Sequence, residues 1–384
     1  MNILYIASSS DWHIDLWVKF FANKHTVFLF SDKEDYLKDQ QYAGVEVIKS
    51  AGFFGSILNA SHTKSHRLYQ LNKLISAPFY ARKLNDLIRK HQIDIVHAHS
   101  LYYGFVASMI KVNVPIVFTP MGSDVIIHAQ SNRIYRYMAN QAFERADIVT
   151  GDSLLLQRRG YEVGAKQEFN YIIQNGVDTE FFYPKGNELK NRYGVKNNET
   201  LIFSPRGFTP IYNIGIILDA LHLLVTHGYK TKCMFSYAFG GEYSKEIKEK
   251  ISNYGLDDYV VWLGSLSYAE MADHYNASDI VLSIPSSDSS PKSVYESMFC
   301  RKPIIITDLP WSYEVLDKNE CVLRVPVRDS EALFDAIARL IDNTDYADFL
   351  ALNGYNIAWG NFEYQDNMQK MEKIMLDAIR SDHD

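Results

Sequence analysis

A polar run, Ser286-Ser287-Asp288-Ser289-Ser290-Pro291-Lys292-Ser293-Val294-Tyr295-Glu296, leads into a segment that Pro291 can start as a helix. At such a start several backbone N–H groups lack helical partners and the positive end of the helix dipole points outward, which suits a phosphate. Glu296 lies about one and a half turns into that helix, within reach of a ribose hydroxyl when a nucleotide's phosphates rest at the helix start. Ser204-Pro205-Arg206-Gly207 offers a second group for anions, because a guanidinium grips a diphosphate through two parallel hydrogen bonds. Both segments also have a plainer reading: a capped helix with a solvent-facing Glu, and a surface Arg.

His97-Ala98-His99 follows the apolar run Ile93–Val96, and strand alternation puts both imidazoles on one side. A His-x-His pair invites a zinc reading, but no carboxylate or cysteine cluster with ligand spacing accompanies it. A functional histidine facing the crevice and a satisfied structural one are the alternatives. Met121-Gly122-Ser123-Asp124 follows Pro115–Thr119 in the same way and brings Asp124 beside His99, although Gly-Ser-Asp is also a common helix entry. The absence of Gly-x-Gly-x-x-Gly, of a P-loop and of Gly-x-Ser-x-Gly removes support for the usual dinucleotide, P-loop and serine-nucleophile chemistries. The only Asp-x-Asp, Asp382-His383-Asp384, reads as a frayed tail.

These residues sit at the ends of a repeating pattern. Asn2–Ala7 is a buried apolar run that gives way, after Ser8-Ser9-Ser10-Asp11, to the helical spacing of Trp12, Leu16 and Phe20. Strands follow at Thr26–Phe30, Ile93–His97, Pro115–Thr119 and Asp147–Gly151, with helical segments between most of them. After the turn Asn175-Gly176-Val177-Asp178 a polar stretch marks a boundary. The rhythm restarts with strands at Leu201–Ser204, Lys232–Tyr237, Val260–Leu263, Ile280–Ile284, Pro303–Thr307 and Val322–Val325, and with helices near 213–226, 243–253, 268–275, 291–299 and 330–342. The pattern predicts an α/β chain of two doubly wound, Rossmann-like parallel sheets facing across a cleft. Residues 1–178 would form one domain and 179–355 the other, with a helical tail, 356–384, crossing back to the first.

The chain has 384 residues, 47% apolar and 22% charged, which fits a globular protein of two domains. No apolar run is long enough to span a membrane, and Asp11, His13, Asp15 and Lys19 interrupt the region where a signal peptide needs continuity. Three separated cysteines argue against a disulfide framework, so a cytoplasmic setting is expected. The net charge of −7 divides into +4 for residues 1–175 and −11 for 176–384. Residues 60–92 alone carry Lys64, Arg67, Lys73, Arg82, Lys83, Arg89 and Lys90 against Asp86, interleaved with Leu, Ile, Phe and Tyr. That reads as a basic amphipathic helix or helix pair, broken near Pro78. It is either a solvated face over an ordinary core or a peripheral contact with an anionic membrane surface.

Further signals point one way. Ile172-Ile173-Gln174-Asn175-Gly176-Val177-Asp178 with Phe182 and Pro184, Val260-Val261-Trp262-Leu263-Gly264, Ala277-Ser278-Asp279-Ile280 with Pro285, and Glu296-Ser297-Met298 ahead of Lys302-Pro303-Ile304-Ile305 together resemble the family-4 retaining glycosyltransferases of the GT-B fold. The resemblance implies a retaining, metal-independent hexosyltransferase. It would move a sugar from a nucleotide-sugar donor, a UDP-sugar first among candidates, to a saccharide or lipid-linked acceptor in cell-surface polysaccharide, lipopolysaccharide or glycolipid synthesis. The nucleotide sugar is then a substrate, no cofactor or metal is implied, and nucleic acid is not a partner. Asp288 would contact the donor sugar, Glu296 the ribose, and Arg206 with the amides near Ser289–Ser293 the diphosphate. Gly207, Ser289, Ser290, Pro291, Lys292, Ser293 and Val294 complete the donor set; His99 and Asp124 would serve the acceptor hydroxyl, and Ser10, Asp11 and His13 would form the acceptor-side loop. The family's Lys after the Arg has no counterpart, Tyr212-Asn213-Ile214-Gly215 standing where Lys-Gly is expected; the position often held by its second first-domain His is Met121, and Ser8-Ser9-Ser10 stands where Gly is common. A noncatalytic nucleotide-sugar-binding subunit and a sugar-nucleotide epimerase are the alternative readings.

Overall fold

The computed structural model describes residues 1–8, 12–31, 44–49, 66–186, 189–196, 198–236, 241–316 and 320–381. They form two compact units, Met1–Asn175 with Gln365–Asp384, and Gly176–Tyr364.

The first unit holds seven strands, β1 (Asn2–Ile6), β2 (Thr26–Ser31), β3 (Val45–Lys49), β4 (Ile95–His99), β5 (Ile116–Thr119), β6 (Ile148–Gly151) and β7 (Asn170–Ile172), all parallel in the order β3-β2-β1-β4-β5-β6-β7. Its central strands are apolar throughout because helices cover both faces. On one face Leu4 and Ile6 pack with Ala77, Tyr80, Leu84 and Ile88 of helix α2 (His66–His91). On the other, Tyr5 meets Phe21 of helix α1 (Trp12–Ala22). A short helix, α3 (Leu101–Ala107), leaves β4 after Ser100.

The second unit repeats the design with six parallel strands in the order β10-β9-β8-β11-β12-β13. They are β8 (Thr200–Ser204), β9 (Thr231–Ser236), β10 (Val260–Gly264), β11 (Ile280–Ser283), β12 (Ile304–Thr307) and β13 (Leu323–Val325). Its helices include α4 (Ile214–Thr226), α5 (Tyr268–Ala277), α6 (Lys292–Phe299) and α7 (Thr344–Asn361). In both sheets the winding reverses between the first and fourth strands, β1/β4 and β8/β11, where a parallel sheet opens a crevice at its carboxyl ends. The candidate residues follow those strands: His99 ends β4, Arg206 follows β8, and the Ser-rich loop follows β11.

Several expectations need correction. Strand β4 runs through His99 rather than stopping at Val96 or His97, because His97 pairs with Tyr5 and Val117 and His99 with Thr119. Helix α2 continues through Pro78 instead of breaking. Pro78 removes one intrahelical bond, but it faces solvent while Ala77 and Tyr80 on either side are buried in one core with Leu84 and Ile88, and that burial holds both halves in line. The tail is two helices, and the chain crosses between units at 364/365 rather than 356. The Val177 N–H donates to the Phe362 carbonyl at 2.8 Å, the Tyr364 N–H to that of Val177 at 3.1 Å, and Phe362 stacks on Tyr295 at 3.6 Å. This stitching keeps residues through Tyr364 with the second unit, and only α8 (Tyr364–Ser381) packs on the first, where Glu372 meets Lys24 and His25. The apolar rhythm gives no sign of the edge strands β3 and β7, whose described side chains are exposed or half-buried.

Candidate active site

The expected donor residues converge. Arg206 is largely buried, and its fork donates from Nη2 to Asp288 Oδ2 at 2.7 Å and from Nη1 to Ser293 Oγ at 3.0 Å. Its Cζ lies 4.5 Å from the centre of the Tyr212 ring. Burial works to lower the guanidinium's pKa, but Asp288 and Tyr212 outweigh it and leave the group above its usual value. Gly207 lies close beside it: a Cβ there would come 3.2 Å from the Tyr212 ring and press on it. The turn Pro210–Tyr212 is sewn to the Ser-rich loop, since the Ser286 N–H donates to the Ile211 carbonyl at 2.8 Å and Asn213 Nδ2 to the Ile284 carbonyl at 2.8 Å. Asn213 sits at φ 53°, in the left-handed region where glycine is the ordinary choice and asparagine the usual substitute.

Pro291 caps α6, so the first-turn amides of that helix face the loop. The Ser289 N–H donates to Asp288 Oδ1 at 2.9 Å, Ser290 Oγ bonds the Tyr295 hydroxyl at 2.9 Å, and Val294 is wholly core, its N–H donated to the Pro291 carbonyl at 2.9 Å. Glu296 is 7% exposed and accepts from the Tyr275 hydroxyl at 2.9 Å. Burial raises its pKa, opposed by Lys292, Tyr275 and Arg206. Tyr275 and Tyr268, unremarked in the sequence, thus belong to the site; the only sequence signal was their place at helical spacing on α5.

In the first unit, His97 and His99 do share a side, but they are 0% and 2% exposed and packed against Tyr5 and Trp17, with His97 bonded to Thr119 Oγ1 at 2.7 Å. Burial pushes the His97 pKa well down, with His99 adding to the effect. Asp124 Oδ2 accepts the Leu101 N–H at 2.8 Å, so its carboxylate holds the turn directly after His99, and burial raises its pKa. Within that turn Ser100 adopts φ 70°, ψ 159°, a conformation tolerated essentially by glycine, so backbone strain is stored next to His99. Ser10 and Asp11 lie outside the described residues, as does the side chain of His13. Among the described residues no three His, Cys, Asp or Glu side chains group as metal ligands, and no helix is long and apolar enough to cross a membrane.

Two families match the chain, "Glycosyl transferases group 1" over residues 186–356 and "Glycosyl transferase 4-like" over residues 2–153. The alpha-monoglucosyldiacylglycerol synthase of Streptococcus pneumoniae is 22% identical over 344 residues, spanning 82% of this chain and 76% of that protein. Among solved structures, Anabaena HepE in complex with UDP and glucose aligns with a TM-score of 0.78 at 21% identity, over 98% of this chain and 100% of that one. Sucrose-phosphate synthase from Thermosynechococcus elongatus aligns with a TM-score of 0.82 at 16% identity, over 99% and 100%. These likenesses establish the GT-B fold. With the group 1 model matching the unit that carries Arg206 and Glu296 and the 4-like model matching the unit that carries His99, the chain is a glycosyltransferase built from these two domains on a GT-B fold.

Proposed function

We propose that the protein is a retaining, metal-independent hexosyltransferase using a UDP-sugar and a saccharide or lipid-linked acceptor, peripheral at the inner face of a membrane. The observation that carries this reading is the convergence of Arg206, Asp288 and Ser293 at the start of α6, ahead of the buried Glu296. In this reading the donor's diphosphate takes the place of Asp288 on the Arg206 fork, and the amides of Ser289, Ser290, Lys292 and Ser293 receive the remaining phosphate oxygens. Asp288, released, turns to a hydroxyl of the donor sugar, while Glu296 accepts from the ribose. The bond from C1 to the diphosphate breaks, the acceptor oxygen bonds C1 from the same face, and the acceptor's proton leaves with the diphosphate. Preorganised donors around the departing charge supply the rate. On the acceptor side His99, covered by Tyr5 and Trp17, and Asp124, which holds the turn after β4 through the Leu101 N–H, act as positioning residues for the acceptor hydroxyl.

Support for UDP comes from HepE, solved with UDP and glucose, and support for a lipid acceptor from the name of the pneumococcal relative. Helix α2 adds to the second, presenting exposed Ile75, Phe79, Arg82, Arg89 and Lys90. The test is a transfer assay over UDP-, GDP-, CDP- and ADP-sugars with saccharide and diacylglycerol acceptors, the product's anomeric configuration read by NMR. Retention, insensitivity to EDTA and a loss of roughly 100-fold or more in Arg206→Ala are expected. Unchanged transfer in that variant would refute the diphosphate assignment.

A further inference from the structure

Lys292 and Glu296 stand four residues apart on α6, so their side chains share a face one turn apart. Both are buried, at 9% and 7% exposure. An ammonium out of water is costly unless its charge is answered. Lys292 is answered from three elements. Its Nζ lies 4.6 Å from the centre of the Tyr268 ring at the start of α5. The carboxylates of Glu296, on its own helix, and of Asp178, two residues past Gly176, both act on it. The donor reading above uses only the Lys292 backbone, which leaves this enclosed side chain without a role.

We propose that Lys292 is a positioning residue of the donor pocket: its ammonium, over the Tyr268 ring and one helical turn from Glu296 on the same buried face of α6, supplies the positive charge that orients the Glu296 carboxylate for the hydroxyls of a nucleotide's ribose. The proposal rests on the reading of Glu296 as the ribose ligand. Arg206 is the other cation acting on Glu296, but its fork is engaged by Asp288 and Ser293 and is the diphosphate ligand in that reading. Burial pushes the Glu296 carboxyl up, and Lys292 is the strongest influence opposing that rise. The other titratable groups facing Glu296 are Cys300 on its own helix, Tyr268 and Tyr275 on α5, and Arg206 beyond β8. Removing Lys292 therefore leaves Arg206 as the one opposing charge among these, and the carboxylate takes up its proton at higher pH.

Calorimetric titration of UDP and of 2′,3′-dideoxy-UDP into the wild type, Lys292→Met, Lys292→Gln and Glu296→Gln tests this. A hydrogen bond to a charged group gives the wild type a preference for UDP of roughly 10-fold or more. Lys292→Met is expected to lose most of that preference while binding the dideoxy nucleotide as the wild type does, and the acid limb of its UDP binding is expected to move to higher pH. Lys292→Gln, nearly the same length, gives the same readout should the Met variant fail to fold, which melting curves report. Equal weakening towards both nucleotides in the lysine variants, with Glu296→Gln still abolishing the preference, overturns the proposal and leaves the ribose reading standing. A wild type that binds neither nucleotide or does not distinguish them, or a Glu296→Gln variant that keeps the preference, overturns the ribose reading and the proposal with it.

Discussion

Tyr212 and Asn213 open the stretch, Tyr212–Gly215, that stands where the family pattern has Lys-Gly, and the structure gives each a task. Asn213 adopts the left-handed conformation that Gly would supply and adds a side-chain bond to the Ser-rich loop. Tyr212 gives no charge, but its ring lies against the Arg206 guanidinium at 4.5 Å and holds the fork towards Asp288 and Ser293. A partly desolvated stack of this kind contributes about 1–2 kcal/mol. Tyr212→Leu should therefore raise the donor KM roughly 5- to 30-fold, and Tyr212→Phe, which keeps the ring, much less; steady-state kinetics with varied donor decide. Lys292 gives a second expectation at this scale. Burial, against the pull of Glu296 and Asp178, lowers its pKa from 10.5 to about 8. Between those values the unfolded chain holds the proton and the folded one does not, so this group's contribution to stability rises with pH from about 8 to 10.5. Denaturant unfolding of wild type and Lys292→Met over pH 7–11 should show the difference between them shifting in favour of the wild type across that window, by up to roughly 3 kcal/mol. A flat difference would mean that the ammonium is not enclosed.

Helix α2 shows an element carried by its core face against its own local chemistry. Pro78 forfeits a backbone bond and crowds the carbonyl of Leu74, yet the helix persists because Ala77, Tyr80, Ala81, Leu84 and Ile88 are buried on both sides of it. Pro78 is exposed, so Pro78→Ala should stabilise the protein by about 1–3 kcal/mol, read as a higher urea midpoint at unchanged slope. A loss of stability would show that the core face needs the kink. The same balance explains what could be read from the residues. Strands buried on both faces, such as β1, β8 and β11, spell continuous apolar runs and were legible almost to the residue. Edge strands β3 and β7 bury too little to do so. The Ser-rich loop and the Pro291-capped helix after β11 were legible because a Pro-started helix after a central strand exposes amides whatever the tertiary context. The histidines were less so: alternation placed His97 and His99 on one side, but only the packing of Trp17 and Tyr5 shows that side to be covered. Tyr268 and Tyr275 come to Glu296 from another helix, a long-range contact with no local signature.

At the scale of the whole molecule, charge is partitioned between the units: residues 1–175 carry +4 and 176–384 carry −11. In the proposed reading a nucleotide donor, itself anionic, binds in the acidic part of the chain, so long-range attraction would contribute little there and the local Arg206 fork and helix amides would do the binding. The basic part suits a different partner. Along α2, Ile75 and Phe79 are 56% and 44% exposed, and Arg82, Arg89 and Lys90 continue the same exposed side, with Lys83 half-buried beside them. Asp86 is the only acid on the helix and pairs with Arg89 at 3.8 Å. Apolar side chains followed by cations suit an interface of acyl chains and anionic headgroups, where each cation contributes about 1 kcal/mol at low salt. Sedimentation with vesicles containing phosphatidylglycerol should therefore carry the protein down, and with pure phosphatidylcholine should not. The Arg82→Ala, Lys83→Ala double variant should bind the anionic vesicles roughly 10-fold or more weakly, and 0.5 M salt should erase most of the difference. Phe79→Ser should weaken binding at both salt concentrations, because burial of its ring does not depend on ionic strength. Binding unchanged in both variants would return α2 to the plainer role of a solvated helix over its core.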